Sequence, residues 1–224
     1  MPTNESSGLK IKTVIFDFDG TIADTFDLII KIINENPARF GIDGIDESEI
    51  PRLRRLSTKY LLREFNIHLL QVPEFVTYIQ QELSRRLAQV QPFPHMIDVL
   101  TNLKLLGLRL GVVTSNSAEN VENFLKVHET GIFDFIVAEK SLFGKHILLE
   151  KVMSLNNLDK REVLYVGDEV RDIKAAKKAG VRIASVTWGF NSIDLLKKHE
   201  PDFLLNAPSE ILDIKDLRAH TEFR

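Results

Sequence analysis

The organisation of this chain can be deduced outward from residues 14–21, which read Val14-Ile15-Phe16-Asp17-Phe18-Asp19-Gly20-Thr21. The apolar run is typical of a buried β-strand, and two aspartates follow at its carboxyl end. Gly20 permits a sharp turn there because it has no Cβ atom. Since open parallel sheets bind ligands at the carboxyl ends of their strands, the motif predicts a site that contains both aspartates.

The composition limits the class of protein. Of the 224 residues, 44% are hydrophobic and 27% are charged, as in ordinary globular domains, and a net charge of -3 does not suggest a nucleic-acid partner. We find no membrane-spanning stretch and no signal-peptide pattern, and the absence of cysteine excludes disulfides, thiolate nucleophiles and Cys-ligated zinc. We therefore expect a cytoplasmic protein without a membrane partner, either a monomer or a homodimer.

Between the first strand and Gln91, the hydrophobic pattern is helical only. It predicts helices over 24–39 and 53–65, and a third helix that begins near Pro73. We interpret residues 25–91 as an all-helical cap domain inserted into a core that consists of residues 1–24 and 92–224.

From residue 92 onward, helical patterns alternate with short apolar runs that end in polar residues. These runs predict strands near 108–115, 135–138, 163–166, 182–188 and 202–205. The alternation indicates an α/β fold with a doubly wound, parallel, Rossmann-like sheet. Its strand ends would bring Thr114, Ser115 and Asp168 close to the first motif.

Three carboxylates, those of Asp17, Asp19 and Asp168, would then converge, with Asp172 one helical turn beyond Asp168. At a separation of ~5 Å and an effective dielectric constant of ~20, each pair repels by roughly 3 kcal/mol. Either some carboxyl groups are protonated or a cation lies among them. All-oxygen ligands favour Mg²⁺.

Two further groups could bind a phosphate. Thr114 and Ser115 precede a helix and offer hydroxyl and backbone N–H groups, and Lys145 could neutralise negative charge. Each has a simpler interpretation, as a turn residue or a surface lysine.

In order along the chain, four motifs resemble those of the haloacid dehalogenase-like hydrolase superfamily, in its phosphatase branch with a helical cap. The motifs are Asp17-Phe18-Asp19-Gly20-Thr21, Thr114-Ser115-Asn116, Lys145 and Gly167-Asp168-Glu169-Val170-Arg171-Asp172. The resemblance extends from about residue 12 to 208. It implies Mg²⁺-dependent hydrolysis of a small phosphorylated metabolite, similar to phosphoglycolate phosphatases.

The resemblance also implies roles for individual residues. Asp17 would be the nucleophile that forms an aspartyl-phosphate, and Asp19 the general acid and then the base. Mg²⁺ would be ligated by Asp17, Asp168 and the backbone carbonyl of Asp19, and Asp172 would support either the metal site or Lys145.

The phosphate site implied by the resemblance consists of Thr114, Ser115 and Asn116 together with Lys145. Lys140 is an alternative to Lys145, because many relatives have proline where this chain has His146. Relatives also often have glycine at the position of His95, which we interpret as a loop residue at a hinge.

Two further points stay open from the sequence. A sugar-phosphate phosphomutase and a non-catalytic phospho-acceptor or binding module are alternatives to a phosphatase. A basic cluster in the cap is either a solvated surface or a binding site for a second anionic group of the substrate. Its members are Arg52, Arg54, Arg55, Lys59 and Arg63.

Overall fold

The structure is a computed structural model that describes residues 10–139 and 144–217. Its strands are β1 (Thr13–Phe16), β2 (Ala23–Asp24), β3 (Gln91–Pro92), β4 (Arg109–Thr114), β5 (Phe135–Ala138), β6 (Val163–Gly167), β7 (Arg182–Val186) and β8 (Phe203–Leu205). Its α-helices are α1 (Phe26–Glu35), α2 (Ile50–Leu53), α3 (Thr58–Glu64), α4 (Val72–Arg85), α5 (Met96–Leu105), α6 (Ala118–Val127), α7 (Lys145–Leu155), α8 (Val170–Ala179) and α9 (Ile193–Lys197). Short 3₁₀ segments are Pro37–Phe40, Glu47–Glu49, Leu87–Gln89, Lys160–Glu162 and Pro208–Asp213.

Six strands form one parallel sheet in the order β5-β4-β1-β6-β7-β8. The chain runs from β1 through β4 to β5, and then crosses to the other side of β1 for the last three strands. The direction of winding therefore reverses between β1 and β6. Ligands of such sheets bind at this reversal, beyond the carboxyl ends of the two strands. The expected doubly wound α/β fold is confirmed.

The core lies on both faces of the sheet because successive strand residues point to opposite sides. Val14 and Phe16 of β1 pack with residues of α5 and α6 on one face. Ile15 packs with residues of α7 and α8 on the other face. All four residues of β1 are buried, which explains why the strand reads as a continuous apolar run.

The segment 25–91, which we call the cap segment, contains helices α1 to α4. The first predicted helix is shorter than expected: α1 ends at Glu35, and a 3₁₀ segment follows from Pro37. A proline disfavours helical geometry in the residue before it, and Asn36 has a φ of −140°. The helix therefore cannot continue to residue 39.

The single helix expected over 53–65 is wrong. The structure has two helices, α2 and α3, separated by an extended Ser57 with ψ of 156°. Two backbone carbonyls in this break accept hydrogen bonds from the core loop that precedes α9. The carbonyl of Arg54 accepts from the N–H of Ser192, and the carbonyl of Leu56 accepts from the side-chain amide of Asn191. These tertiary hydrogen bonds outweigh the local helical pattern.

The two connections of the cap segment lie side by side. Strand β2 pairs antiparallel with β3, with Ala23 opposite Pro92 and Asp24 opposite Gln91. This two-stranded ribbon lies where the sequence pattern indicated helix only. Among the described residues, no helix has the length and apolar character needed to cross a membrane.

Candidate functional site

The nucleophile expected from the sequence, Asp17, lies at the reversal of the sheet. Its backbone N–H donates to the carbonyl of Val166 in β6 over 2.8 Å, which extends the β1–β6 pairing by one residue. Its side chain is 1% exposed, and its Oδ1 accepts from the N–H of Phe18 over 2.8 Å. The carboxylate is therefore held in one orientation.

Lys145, the first residue of α7, lies between two carboxylates. Its Nζ donates to Asp17 Oδ2 over 2.7 Å and to Asp172 Oδ1 over 2.6 Å. The hydroxyl of Tyr165 also donates to Asp172 Oδ1, over 3.3 Å. Burial alone would raise the pKa of Asp172, but Lys145 and Arg171 outweigh it and hold that pKa below the usual value. The ammonium of Lys145 is thus shared by two acids. For Asp17, burial outweighs the effect of Lys145, so its pKa is raised.

Asp168 follows β6 and is completely buried. Its Oδ1 accepts from the hydroxyl of Thr21 over 2.9 Å, and its Oδ2 accepts from the N–H of Phe190 over 2.7 Å. Gly20 has a φ of +74°, and a Cβ atom there would overlap the Asp168 carboxylate. The requirement for glycine in the first motif is therefore steric as well as conformational.

A metal ion fits this geometry. Carboxylate oxygens of Asp17, Asp168 and Asp172 all lie within 4.8 Å of one another. Burial and the neighbouring acids, Glu169 first, raise the pKa of Asp168 well above its usual range, and no described residue forms an ion pair with it. An all-oxygen donor set in which three acids share one ammonium suits a hard divalent cation. The cluster includes the side chain of Asp172, whereas the sequence analysis assigned Asp172 a supporting role.

The loop after β4 contains the expected phosphate-binding residues, and Thr114 and Asn116 are both buried. The hydroxyl of Thr114 accepts from the N–H of Asn116 over 3.0 Å, which makes a tight turn before α6. The oxygen of the Asn116 amide accepts from the N–H of Ser117 and from Asn120, so its NH₂ group faces the other way. That NH₂ group donates to both oxygens of Asp19, over 3.2 and 3.0 Å.

Asp19 differs from Asp17 in its partner, which is the amide of Asn116 and not the ammonium of Lys145. Burial and the negative charge of Asp17 raise the pKa of Asp19 to about 6, against partial offsets from Thr25 and Asn116. A carboxyl group with this pKa can donate a proton and take one back near neutral pH. Asp17 contacts the ammonium of Lys145, whereas Asp19 contacts the amide of Asn116. The two neighbouring carboxyl groups therefore lie in different environments.

The comparisons with known proteins agree with this geometry. A sequence model described as haloacid dehalogenase-like hydrolase matches residues 14–186, from β1 to the end of β7. The chain belongs to the haloacid dehalogenase-like hydrolase family. It is therefore a hydrolase with the fold and the motif order that the sequence indicated.

Individual relatives cover nearly the whole chain. A phosphoglycolate phosphatase of Synechococcus elongatus is 34% identical over 203 residues, which is 90% of this chain and 96% of the relative. The pyrophosphatase PpaX of Halalkalibacterium halodurans is 30% identical over 94% of this chain and 100% of its own. A predicted phosphatase from Clostridium acetobutylicum, at 22% identity, shares the fold with a TM-score of 0.77 over 92% of this chain and 100% of its own.

In this haloacid dehalogenase-like hydrolase, a second cation at the site, the partly buried Arg171, was not predicted from the sequence. Its Nε donates to Glu169 Oε1 over 2.7 Å, and its Nη1 donates to the hydroxyl of Ser115 over 3.3 Å. The other oxygen of Glu169 accepts from the hydroxyl of Thr58 in the cap segment, over 2.7 Å. A polar chain thus joins the cap segment to the phosphate loop. The sequence signal that could have identified Arg171 is its position between Asp168 and Asp172 in the fourth motif.

A second link from the cap segment was also missed. Gln80 in α4 is buried, and its amide NH₂ donates to the backbone carbonyl of Ser115 over 2.5 Å. Asn120 in α6 donates to the backbone carbonyl of Gln80 over 2.9 Å. Neither residue belongs to a recognised motif, and only the packing of α4 on α6 brings them to the site.

The basic cluster of the cap does not converge on one point. Arg52 forms ion pairs with Glu49 and Glu64, and Arg54 donates to the backbone carbonyls of Gly189 and Phe190 in the core. The remaining members are exposed: Arg55, Lys59 and Arg63. The alternative lysine of the third motif, Lys140, lies outside the described residues.

Proposed function

We propose that this chain is a Mg²⁺-dependent phosphomonoester hydrolase that acts through an aspartyl-phosphate on Asp17. The observation that carries the proposal is a pair of neighbouring carboxyl groups held in different ways: Phe18 and Lys145 fix Asp17, whereas the amide of Asn116 holds Asp19, whose pKa is raised to about 6. The substrate is a small phosphorylated metabolite, in line with the names of the relatives, and we place the activity in the cytoplasm.

In the first half-reaction, an Asp17 oxygen attacks phosphorus while the bond to the leaving oxygen breaks. Asp19, held by Asn116, gives its proton to that oxygen. The hydroxyl of Thr114, the N–H groups after it and the ammonium of Lys145 hold the phosphoryl oxygens. In the second half-reaction, Asp19 takes a proton from the water that attacks the phosphorus of the aspartyl-phosphate, and Asp17 is released.

Asp17, Asp168 and the backbone carbonyl of Asp19 would hold Mg²⁺, and the Asp172 carboxylate lies within reach of the same position. When bound, Mg²⁺ neutralises charge on the phosphoryl group. The roles of these residues and the division into core and cap are part of the proposal.

The test is the hydrolysis of p-nitrophenyl phosphate by purified protein, with Mg²⁺ and with excess chelator, beside the Asp17→Asn variant. Phosphate release that requires Mg²⁺ and is lost in Asp17→Asn is expected, together with a covalent phosphate on Asp17 after rapid quench. Transfer of the phosphate to a second sugar phosphate would identify a phosphomutase instead. Absence of turnover on any phosphate, pyrophosphate included, would leave a binding module.

A further inference from the structure

A cavity of about 220 Å³ opens beside Asp19, between the cap segment and the core. Its polar lining groups belong to one connected network: Asp19, Asn116, Ser115, Arg171 and Gln80. The rest of its wall is apolar and comes mainly from the cap segment. Representative members are Ile29, Ile33, Leu62, Phe75, Val76 and Ile79. We call this cavity the chamber.

We propose that the chamber receives the alcohol part of the substrate and that this part is apolar. The inference rests on the proposed function, because Asp19 must protonate the oxygen that joins the alcohol to the phosphoryl group. With that oxygen at Asp19, the phosphoryl group lies toward Asp17 and Lys145, outside the chamber, and the alcohol extends along the apolar wall. The substrate class is therefore a phosphomonoester of an alcohol with a body of about six carbons, since an apolar cavity of about 150 Å³ can hold benzene.

A charged leaving group such as glycolate fits the chamber poorly. Among the described residues that line it, the only cation is Arg171, and two of its nitrogens already bind Glu169, over 2.7 Å at Nε and 2.6 Å at Nη2. Of the basic cluster in the cap, no member lines the chamber. A carboxylate against the apolar wall would lose its hydration without gaining a partner.

The experiment measures kcat/KM for methyl, propyl, butyl and hexyl phosphate and for 2-phosphoglycolate, with Mg²⁺. Burial of each methylene is expected to raise kcat/KM about fourfold, so that hexyl phosphate exceeds methyl phosphate by at least about 100-fold. Hexyl phosphate should also exceed 2-phosphoglycolate. A flat series, or 2-phosphoglycolate as the best substrate, would overturn the proposal.

A filling variant tests the location. Val76→Phe places a larger side chain in the chamber and is expected to lower the hexyl-to-methyl ratio of kcat/KM at least about tenfold. Gln81→Phe, on the same helix but exposed, is the matched control and should keep the ratio of the unmodified protein. An unchanged ratio in folded Val76→Phe would exclude the chamber. If that variant does not fold, Ile79→Gln makes the same test by polarity.

Binding separates this inference from the proposed function. Calorimetry with hexylphosphonate and methylphosphonate needs no turnover, so it reports on the chamber even if no phosphate is hydrolysed. Tighter binding of the hexyl compound by at least about 100-fold supports the chamber. Equal affinities would overturn it, whatever the outcome of the p-nitrophenyl phosphate assay.

Discussion

The amide of Asn116 donates hydrogen bonds to both carboxylate oxygens of Asp19, over 3.2 and 3.0 Å. The amide is itself held by Ser117 and Asn120, so its orientation is fixed from the phosphate loop. Such donation favours the ionised form of Asp19, whereas burial and Asp17 favour the protonated form. The resulting pKa of about 6 is a balance between these effects.

This balance can be shifted. Because Asp19 acts first as an acid, kcat/KM for an alkyl phosphate should fall as the pH rises above about 6. Asn116→Ala removes two donors to the ionised form, so the pKa of Asp19 rises and the decline moves to higher pH. Profiles from pH 5 to 9 would show the displacement. Asp19→Asn should lack this decline and lose ~10²–10⁴ in kcat, with a smaller loss for p-nitrophenyl phosphate. An unshifted decline in Asn116→Ala would contradict the assignment to Asp19.

Mg²⁺ should stabilise the protein more at pH 8 than at pH 5. In the metal-free protein the pKa of Asp17 is raised and that of Asp168 well above usual, so stability falls as the pH rises through those values. Mg²⁺ binds the deprotonated carboxylates and restores stability, by about 2.7 kcal/mol at 100 times its Kd. Thermal unfolding at both pH values measures this.

The control for this metal effect is Asp168→Asn, which removes the buried charge. Without metal at pH 8, its Tm should be at least as high as that of the unmodified protein, while its response to Mg²⁺ is lost. A lower metal-free Tm together with a full Mg²⁺ response would place the metal elsewhere.

Lys145→Met should reduce kcat by at least ~10², because the phosphoryl group loses its buried ammonium and two buried acids lose their partner. The Tm should fall as well, so activity is compared at a temperature where both proteins are folded by circular dichroism. Lys140→Ala is the control and should stay near the unmodified rate. If Lys140→Ala is the more damaging change, the third motif has been assigned to the wrong lysine.

Arg54→Ala should loosen the contact between the cap segment and the core. Its guanidinium binds two core carbonyls and lies 5.2 Å from the ring centre of Phe26. A hydrogen bond from a charged group contributes about 1.5–3 kcal/mol to stability. The contribution of Arg54 is smaller because its side chain is partly exposed to water. Urea unfolding should show a loss of about 1 kcal/mol or more, and the exposed neighbour Arg55→Ala should show almost none. Equal losses would mean that net charge, rather than the contact, matters.

His95→Gly should stabilise the fold. His95 precedes α5 with a φ of 64°, a left-handed conformation that costs a residue with a Cβ roughly 1–2 kcal/mol. Glycine removes this cost but gains freedom in the unfolded chain, which leaves a net gain of about 0.5–1 kcal/mol. Thermal unfolding measures it, and unchanged kcat would agree with a loop role. A lower Tm would show that the imidazole makes a contribution of its own.

The fold and the convergence of the motif residues could be predicted from the sequence because both follow from strand ends. Once β1, β4 and β6 are parallel neighbours, Asp17, Thr114 and Asp168 must meet. Contacts set by packing between distant segments could not be predicted in this way. The break at Ser57 depends on hydrogen bonds to a core loop, and the role of Gln80 depends on how α4 packs on α6.

The antiparallel ribbon of β2 and β3 brings the two ends of the cap segment side by side, so we expect the segment to be exchangeable. Ala23 pairs with Pro92 and Asp24 with Gln91, so the segment leaves and re-enters the core at points about 5 Å apart. A turn of a few residues could close that gap, and a cap from a relative could be inserted through the same two crossings. The acids at the strand ends would stay in place while the walls of the chamber changed. We therefore expect that replacing or mutating the cap segment would change substrate preference without changing the chemistry proposed for the core.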